Sequence, residues 1–245
     1  MKQLTEKICL VVPCYNEEKR LKIQEFTSFD PNCYFIFVND GSTDGTLKLI
    51  QENLRPGLFC LNLEQNSGKA EAIRQGILFL KGLPVFPEIQ WAGYWDADLS
   101  TPLAELYDYL LFYQTFAPSA QAIWGSRVRR LGSDIKRSFK RHFLGRFFAN
   151  ITSLVLGLRC YDSQCGAKLF KKELLEPAFG EKFISRWIFD VELMLRLDKY
   201  SIVEYPLKHW HDVGGSKVKL FSVAYRTLME IFRIRDKYVR QQRKR

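Results

Sequence analysis

Gln90-Trp91-Ala92-Gly93-Tyr94-Trp95-Asp96-Ala97-Asp98-Leu99-Ser100-Thr101-Pro102 is an apolar, aromatic run that ends in two carboxylates one residue apart, followed by turn residues. A run of this length and composition reads as a buried strand. Alternation along an extended backbone puts Asp96 and Asp98 on the same side of its carboxyl end, where open α/β sheets bind ligands. Neighbouring carboxylates repel unless a cation or hydrogen bonds offset them. Oxygen ligands suit Mg²⁺ or Mn²⁺, and Mg²⁺ commonly joins one or two carboxylates to substrate phosphates. A plainer reading stands beside this one: Asp98 or Ser100 caps the helix that Pro102 introduces.

Outward from this stretch, strands and helices alternate as in a mainly parallel α/β sheet flanked by helices. Residues 8–12 are a β-branched run stopped by Pro13, and residues 34–38 are another, stopped by Asn39-Asp40-Gly41-Ser42. The pattern predicts helices over 45–53, 68–80 and 103–112, and strands over 58–63, 90–95 and 120–125. The second half is less regular. Helices are predicted over 139–156 and 189–199, with extended segments at 166–171 and 201–206. Residues 218–239 carry Phe221, Ala224, Tyr225, Leu228, Ile231, Phe232 and Tyr238 on one helical stripe with bases between them.

The 245 residues, 47% hydrophobic and 26% charged, fit one large α/β domain or two small ones. Residues 1–7 lead into a short strand rather than a signal-peptide core. The most apolar run, 147–158, is interrupted by Asn150, Thr152 and Ser153 and is shorter than the ~18 residues a membrane span needs. A cytoplasmic location is expected. The six cysteines form no C-x-x-C, and the histidines at 142, 209 and 211 lack zinc-finger spacing. Cys9, Cys33 and Cys60 read as small core residues of a reduced protein. The net charge of +10 is segregated: residues 127–146 hold eight Lys/Arg against one acid, and 217–245 hold ten against two. The remainder is acidic. Two basic segments on an acidic domain point to a polyanionic partner: membrane headgroups, nucleic acid or a phosphorylated substrate.

Three polar loops follow strands: Pro13 to Glu18, Asn39 to Thr46, and Asp96 to Asp98. In a parallel sheet they open on one edge and share a cleft. The middle loop offers acceptors but no cation, which suits a base and ribose; capping of the next helix by Asp44 or Ser42 fits equally. In Asn66-Ser67-Gly68-Lys69, Gly68 opens a helix and Lys69 sets a cation at its positive end, facing phosphate oxygens or simply solvent.

Val12-Pro13-Cys14-Tyr15-Asn16-Glu17-Glu18, Asn39 to Thr46, Asn66 to Lys69 and Asp96-Ala97-Asp98 stand in the order seen in the family 2 glycosyltransferases, which the chain resembles from about residue 8 to 219. Asp162 to Phe170, Arg186 to Glu192 and Gly215-Ser216-Lys217 are similar to the dolichyl-phosphate β-glucosyltransferase branch and its bacterial polyprenyl-phosphate relatives. The resemblance implies a single GT-A domain over 1–219, with a nucleotide-binding half to about 126 and an acceptor-binding half from 127. A basic amphipathic helix and tail follow over 220–245. It implies metal-dependent, inverting transfer of a hexose, with Mg²⁺ or Mn²⁺ as cofactor and UDP-glucose the first choice of donor, ahead of GDP-mannose and UDP-N-acetylhexosamines. The acceptor implied is a polyprenyl or dolichyl phosphate at the inner face of a membrane.

By the same resemblance, Pro13, Tyr15, Glu17 and Asp40 hold the base and ribose, and Lys69 lies near the nucleotide. Asp98 binds the metal, and Asp96 serves ribose or metal. Gln164, Lys168, Ser216 and Lys217 approach donor or acceptor phosphates. Arg186 and Asp190 join Asp98 as catalytic residues, with Asp190 a general base for a hydroxyl acceptor or a positioning carboxylate. His211 is a metal ligand or a partner for Asp212. The basic stretch with Arg127, Arg129, Lys136, Arg137, Lys140, Arg141 and Arg146 would dock the lipid phosphate, and residues 143–158 the isoprenoid chain.

Three other readings are weighed: a glycosyltransferase with a sugar or other hydroxyl acceptor, a nucleotidyltransferase, and a nucleic-acid-binding module. The second usually wants a Gly-rich basic loop where this chain has Cys14-Tyr15-Asn16-Glu17. Against the third, the bases are segregated from the cleft loops, and no nucleic acid is expected. The basic segments predict that the intact protein binds anionic vesicles and that added salt weakens the binding. Absent or salt-insensitive binding in a sedimentation assay would count against this.

Overall fold

The computed structural model describes residues 3–136, 155–157, 160–186, 188–197, 200–213 and 229–238. A seven-stranded sheet runs in the order β3-β2-β1-β4-β7-β5-β8. Its strands are β1 (Ile8–Cys14), β2 (Cys33–Asp40), β3 (Leu58–Leu63), β4 (Trp91–Trp95), β5 (Ala122–Ser126), β7 (Ala167–Lys171) and β8 (Ile202–Pro206). Pairings β1–β2, β2–β3, β1–β4 and β5–β8 are parallel; β7 runs antiparallel to both β4 and β5. A small parallel pair, β6 (Asp134–Lys136) with β9 (His209–His211), stands apart from the main sheet.

The central strands are apolar throughout because both faces are covered. Along β1, Ile8, Leu10 and Val12 join Phe26, Phe35, Phe37, Trp91 and Trp95 in one core. Cys9 and Val11 face the other way and pack with Ile36, Val38, Ile73, Ile77, Tyr94 and Phe170. The helices Thr46–Glu52, Lys69–Lys81 and Glu105–Phe116 follow β2, β3 and β4, as predicted from the periodicity.

Several boundaries differ from the sequence reading. β1 runs through Pro13 to Cys14, because Pro13 lies beyond the last β1–β4 pair, where a missing N–H is tolerated. β2 continues to Asp40. The short helices Ile23–Thr27 and Leu175–Phe179, and strands β6 and β9, were not anticipated: elements of three to five residues show no period. Residues 229–238 are helical. Ile231 and Ile234 are fully buried against Ile188, Val191 and Leu195. The described part of the tail helix therefore packs on the domain. Phe232, assigned to the same stripe, is 42% exposed instead. Most of the predicted 139–156 helix and the basic end lie outside the described residues. Among those described, no helix is long and apolar enough to cross a membrane. All six cysteines are free.

At Gly93 β4 and β7 leave no room for a side chain: a Cβ there would lie 1.9 Å from the Lys168 carbonyl oxygen. That oxygen belongs to the ladder and cannot step aside. Gly93→Ala should cost about 2–3 kcal/mol and lower the thermal midpoint by roughly 5–10 °C, measured by calorimetry.

Candidate active site

The ends of β1 and β2 are tied together by short polar contacts. Asn16, in left-handed backbone (φ 54°), donates its N–H to Ser42 Oγ (3.0 Å), and its Oδ1 accepts the Thr43 N–H (2.8 Å). The Glu17 N–H donates to Thr46 Oγ1 (2.8 Å). Asp44 Oδ1 accepts the Thr46 N–H (3.0 Å) from one residue before the N-cap, which is Gly45 rather than Asp44 or Ser42. Tyr15 is 46% exposed at the rim. Asp40 is buried at the end of β2, and its two oxygens accept the N–H groups of Ser67 (2.7 Å) and Gly68 (2.8 Å). From the other side, Arg186 donates to Ser67 O (3.0 Å), Asn66 O (3.0 Å) and Asn66 Oδ1 (2.9 Å). Asp40 and Arg186 thus clamp the loop that delivers Lys69 to the first turn of its helix.

Lys69 extends to Asp96, and the two form an ion pair. Burial opposes its charge, but Asp96, then Asp190 and Asp98, hold the ammonium above its ordinary value. Strand alternation does not bring the two aspartates together. β4 ends at Trp95, and Asp96 to Leu99 form a turn closed by the Leu99 N–H on Asp96 O (3.2 Å), with Leu99 at φ 51°. Within it, Asp98 Oδ1 accepts the N–H (3.0 Å) and hydroxyl (2.8 Å) of Ser100. Asp98 Oδ2 lies 4.0 Å from Arg20 Nη1.

Glu17 completes the cluster. It pairs with Arg20, and its Oε2 is buried without a hydrogen-bond partner. Burial, and after it the Asp96 charge, push the Asp98 carboxyl above its usual range. Burial also raises Glu17; Arg20 pulls it down, while Asp98 and Asp96 add to the rise. Glu17 and Asp98 are therefore crowded beyond what Arg20 compensates. Among the described residues, no group of three or more His, Cys, Asp or Glu side chains is arranged so as to hold a metal ion by itself. The cluster still fits a divalent cation that takes part of its shell from substrate phosphates, as the unpartnered Glu17 oxygen and the raised Asp98 carboxyl indicate. The His211 ring pairs with Asp134 (2.6 Å), while the His211 backbone N–H donates to Ser100 O (2.9 Å), so β9 lies beside the acid turn.

The far wall is built on β7 and the helix Phe189–Arg196. Lys168 is fully buried; it donates to Ser163 O (2.6 Å) and to Asp190 Oδ1, and Tyr94 donates to that same oxygen.

Residues 9–179 match the family described as Glycosyl transferase family 2. The chain belongs to that family. It is a glycosyltransferase with the GT-A fold. Relatives include the dolichyl-phosphate beta-glucosyltransferase of Homo sapiens, 34% identical over 240 residues, covering 89% of this chain and 71% of the relative. The enzyme of that name from Dictyostelium discoideum is 30% identical over 253 residues, covering 95% and 75%. Glucosyl-3-phosphoglycerate synthase from Mycobacterium tuberculosis shares the fold. Its complex with Mn²⁺, UDP and phosphoglyceric acid superposes at a TM-score of 0.67 with 17% identity, covering 94% of this chain and 78% of that one. Its complex with Mg²⁺ and UDP superposes at 0.65, also with 17% identity, covering 94% and 79%.

The geometry of this glycosyltransferase revises several expectations. Lys168 is enclosed with its donors engaged, so it does not meet a phosphate here. Arg186, expected among the catalytic residues, is engaged by the Asn66 and Ser67 carbonyls and by Asn66 Oδ1. Arg127 is no phosphate dock: its guanidinium makes two bonds to Asp162 (2.6 and 2.7 Å) and lies 5.2 Å from the centre of the Trp210 ring. Gln164 is exposed, and so is Lys136. Ser216, Lys217, Arg137, Lys140, Arg141 and Arg146 lie outside the described residues. Sequence reasoning missed Arg20, which lies in a turn between β1 and the helix Ile23–Thr27, and the closeness of Glu17 to Asp96 and Asp98.

Because the Glu17 and Asp98 carboxyls are raised, the folded chain holds protons that the unfolded chain has released. Their contribution to stability therefore falls as pH rises through that window. Asp98→Asn removes this repulsion and keeps an oxygen for Ser100. It should lower metal-dependent turnover by about 100-fold or more, while the thermal midpoint at neutral pH stays equal or rises. Retained turnover would remove Asp98 from the metal site.

Proposed function

We propose that this enzyme transfers glucose from UDP-glucose to a polyprenyl or dolichyl phosphate, with inversion, at the cytoplasmic face of a membrane. The observation that carries the reading is the cleft in which Lys69, Asp96, Asp98 and Glu17 converge, in a chain 30% or more identical to dolichyl-phosphate beta-glucosyltransferases along nearly its whole length. The acids, with Asp98 foremost and His211 alongside, would hold Mg²⁺ or Mn²⁺. Bound there, the cation would neutralise charge that develops on the departing nucleoside diphosphate.

Pro13, Tyr15 and the Asn39 to Thr46 loop form the rim where the base and ribose would lie. Asp40 acts through the Ser67 and Gly68 amides, fixing where Lys69 meets the diphosphate. Lys69 compensates Asp96 in the free enzyme and can share its protons with donor phosphate oxygens. A lipid phosphate monoester, with a second pKa near ~6, is already largely a dianion at neutral pH, so the acceptor needs docking rather than deprotonation. Ser216, Lys217 and the bases after Lys136 are the groups proposed for that docking, and the basic tail for contact with anionic lipid. A hydroxyl acceptor would instead require Asp190 as a base.

A donor panel with polyprenyl phosphate and Mn²⁺ or Mg²⁺ tests this. UDP-glucose should yield glycolipid, and GDP-mannose at least about 10-fold less in kcat/KM. Glucosylation of a soluble hydroxyl acceptor with no glycolipid from any donor would overturn the lipid reading.

A further inference from the structure

Tyr94, Lys168 and Asp190 form a buried polar cluster that the proposed reaction leaves without a task. Complete burial of an ammonium is costly unless it is paired and hydrogen-bonded. Here every donor is used: one on Ser163 O (2.6 Å), one on Asp190 Oδ1, and the remaining face toward the Trp124 ring, 4.2 Å from its centre. Tyr94 stands directly opposite Lys168 in the β4–β7 ladder and donates to the same Oδ1. Burial, and then the Asp190 charge, push the phenol well above its ordinary value, so Tyr94 keeps the proton it donates. The bonds from Tyr94 and Lys168 both fall on Oδ1 of Asp190, not on Oδ2, and the Lys69 ammonium feels the Asp190 charge.

The strand order gives this oxygen its address. Asp40 ends β2, Pro13 lies near the end of β1, Asp96 follows β4, and Lys168 sits on the next strand, β7. A Cβ on Gly166, just before β7, would lie 2.0 Å from Asp96 Oδ2, so the two walls touch. A donor laid across these strand ends runs from nucleoside at β2 and β1, to diphosphate at β4, to sugar at β7. We propose that Tyr94 and Lys168 are positioning residues: by holding Asp190 Oδ1 they aim Oδ2 at one hydroxyl of the transferred hexose. This rests on the UDP-glucose reading above. A site that reads a hydroxyl through a fixed, poorly solvated carboxylate rejects the analogue lacking it, because the acceptor is left unpaired.

The test compares UDP-glucose with its monodeoxy analogues, using wild type, Tyr94→Phe, Lys168→Arg and Lys168→Met. Wild type should disfavour one monodeoxy donor by about 100-fold in kcat/KM. Tyr94→Phe, which removes one oxygen and keeps the ring, should shrink that ratio to about 10-fold and leave the KM for polyprenyl phosphate unchanged. Lys168→Arg should keep more of the ratio than Lys168→Met. If Tyr94→Phe slows every donor by the same factor, its role is structural and the proposal falls. If discrimination persists while the acceptor KM rises, Asp190 faces the acceptor and the proposal falls as well. Calorimetric binding of the same donors with Mn²⁺ needs no acceptor, so it separates failure of this inference from failure of the lipid-phosphate reading. Equal weakening of all donors by Tyr94→Phe in that assay would overturn it.

Discussion

Trp91 and Trp95 on one face of β4 and Tyr94 on the other are all buried, and β1 and β2 beside them are covered just as completely. A sheet enclosed on both faces takes unpaired charge where its strands end, and inside it only a paired group such as Lys168 is held. Asp40, Glu17, Asp96 and Asp98 are therefore driven to one edge. The same enclosure makes their company expensive, because water screens them poorly there. Lys69 and Arg20 offset part of the repulsion, and the clamp of Asp40 and Arg186 on the Asn66 to Gly68 loop decides that Lys69 is one of them.

Crowded acids make the free protein less stable than it need be, and under the proposed function that is the state that would take up a cation and a diphosphate. If the proposed cation binds there, carboxyls raised by burial and by each other would give up protons to it, and its affinity would rise with pH through the window in which the free fold is weakened. The helix at residues 229–238 adds a mechanical link. Tyr238 donates to Glu192 (2.8 Å) and Ser185 to Glu230 (2.5 Å), so the tail grips the helix carrying Asp190 and the segment carrying Arg186.

Most of the sheet was legible in the residues. β3 falls where it was expected, and β1, β2, β4, β5, β7 and β8 differ at their ends by one or two residues, since long apolar runs between turn signals leave few alternatives. The acid pair, Lys69 and the polar loops were also legible, because their residue types and spacing carry chemistry. Partners were not. That Arg127 would be spent on Asp162, and Lys168 on Asp190, depends on residues 22 or more positions away, which no local pattern encodes.

The sequence alone determined a mainly parallel α/β domain, a cleft at one sheet edge, and Asp98 with Asp96 as its acidic centre. These follow from periodicity and from short-range spacing. The tertiary structure decided how those groups are used. It replaced strand alternation by a turn at Asp96 to Leu99, added Glu17 and Arg20 to the acids, and withdrew Lys168 and Arg127 into buried pairs. Charge in a poorly screened interior answers to every neighbour within a few ångströms, and only the packed chain determines which neighbours those are.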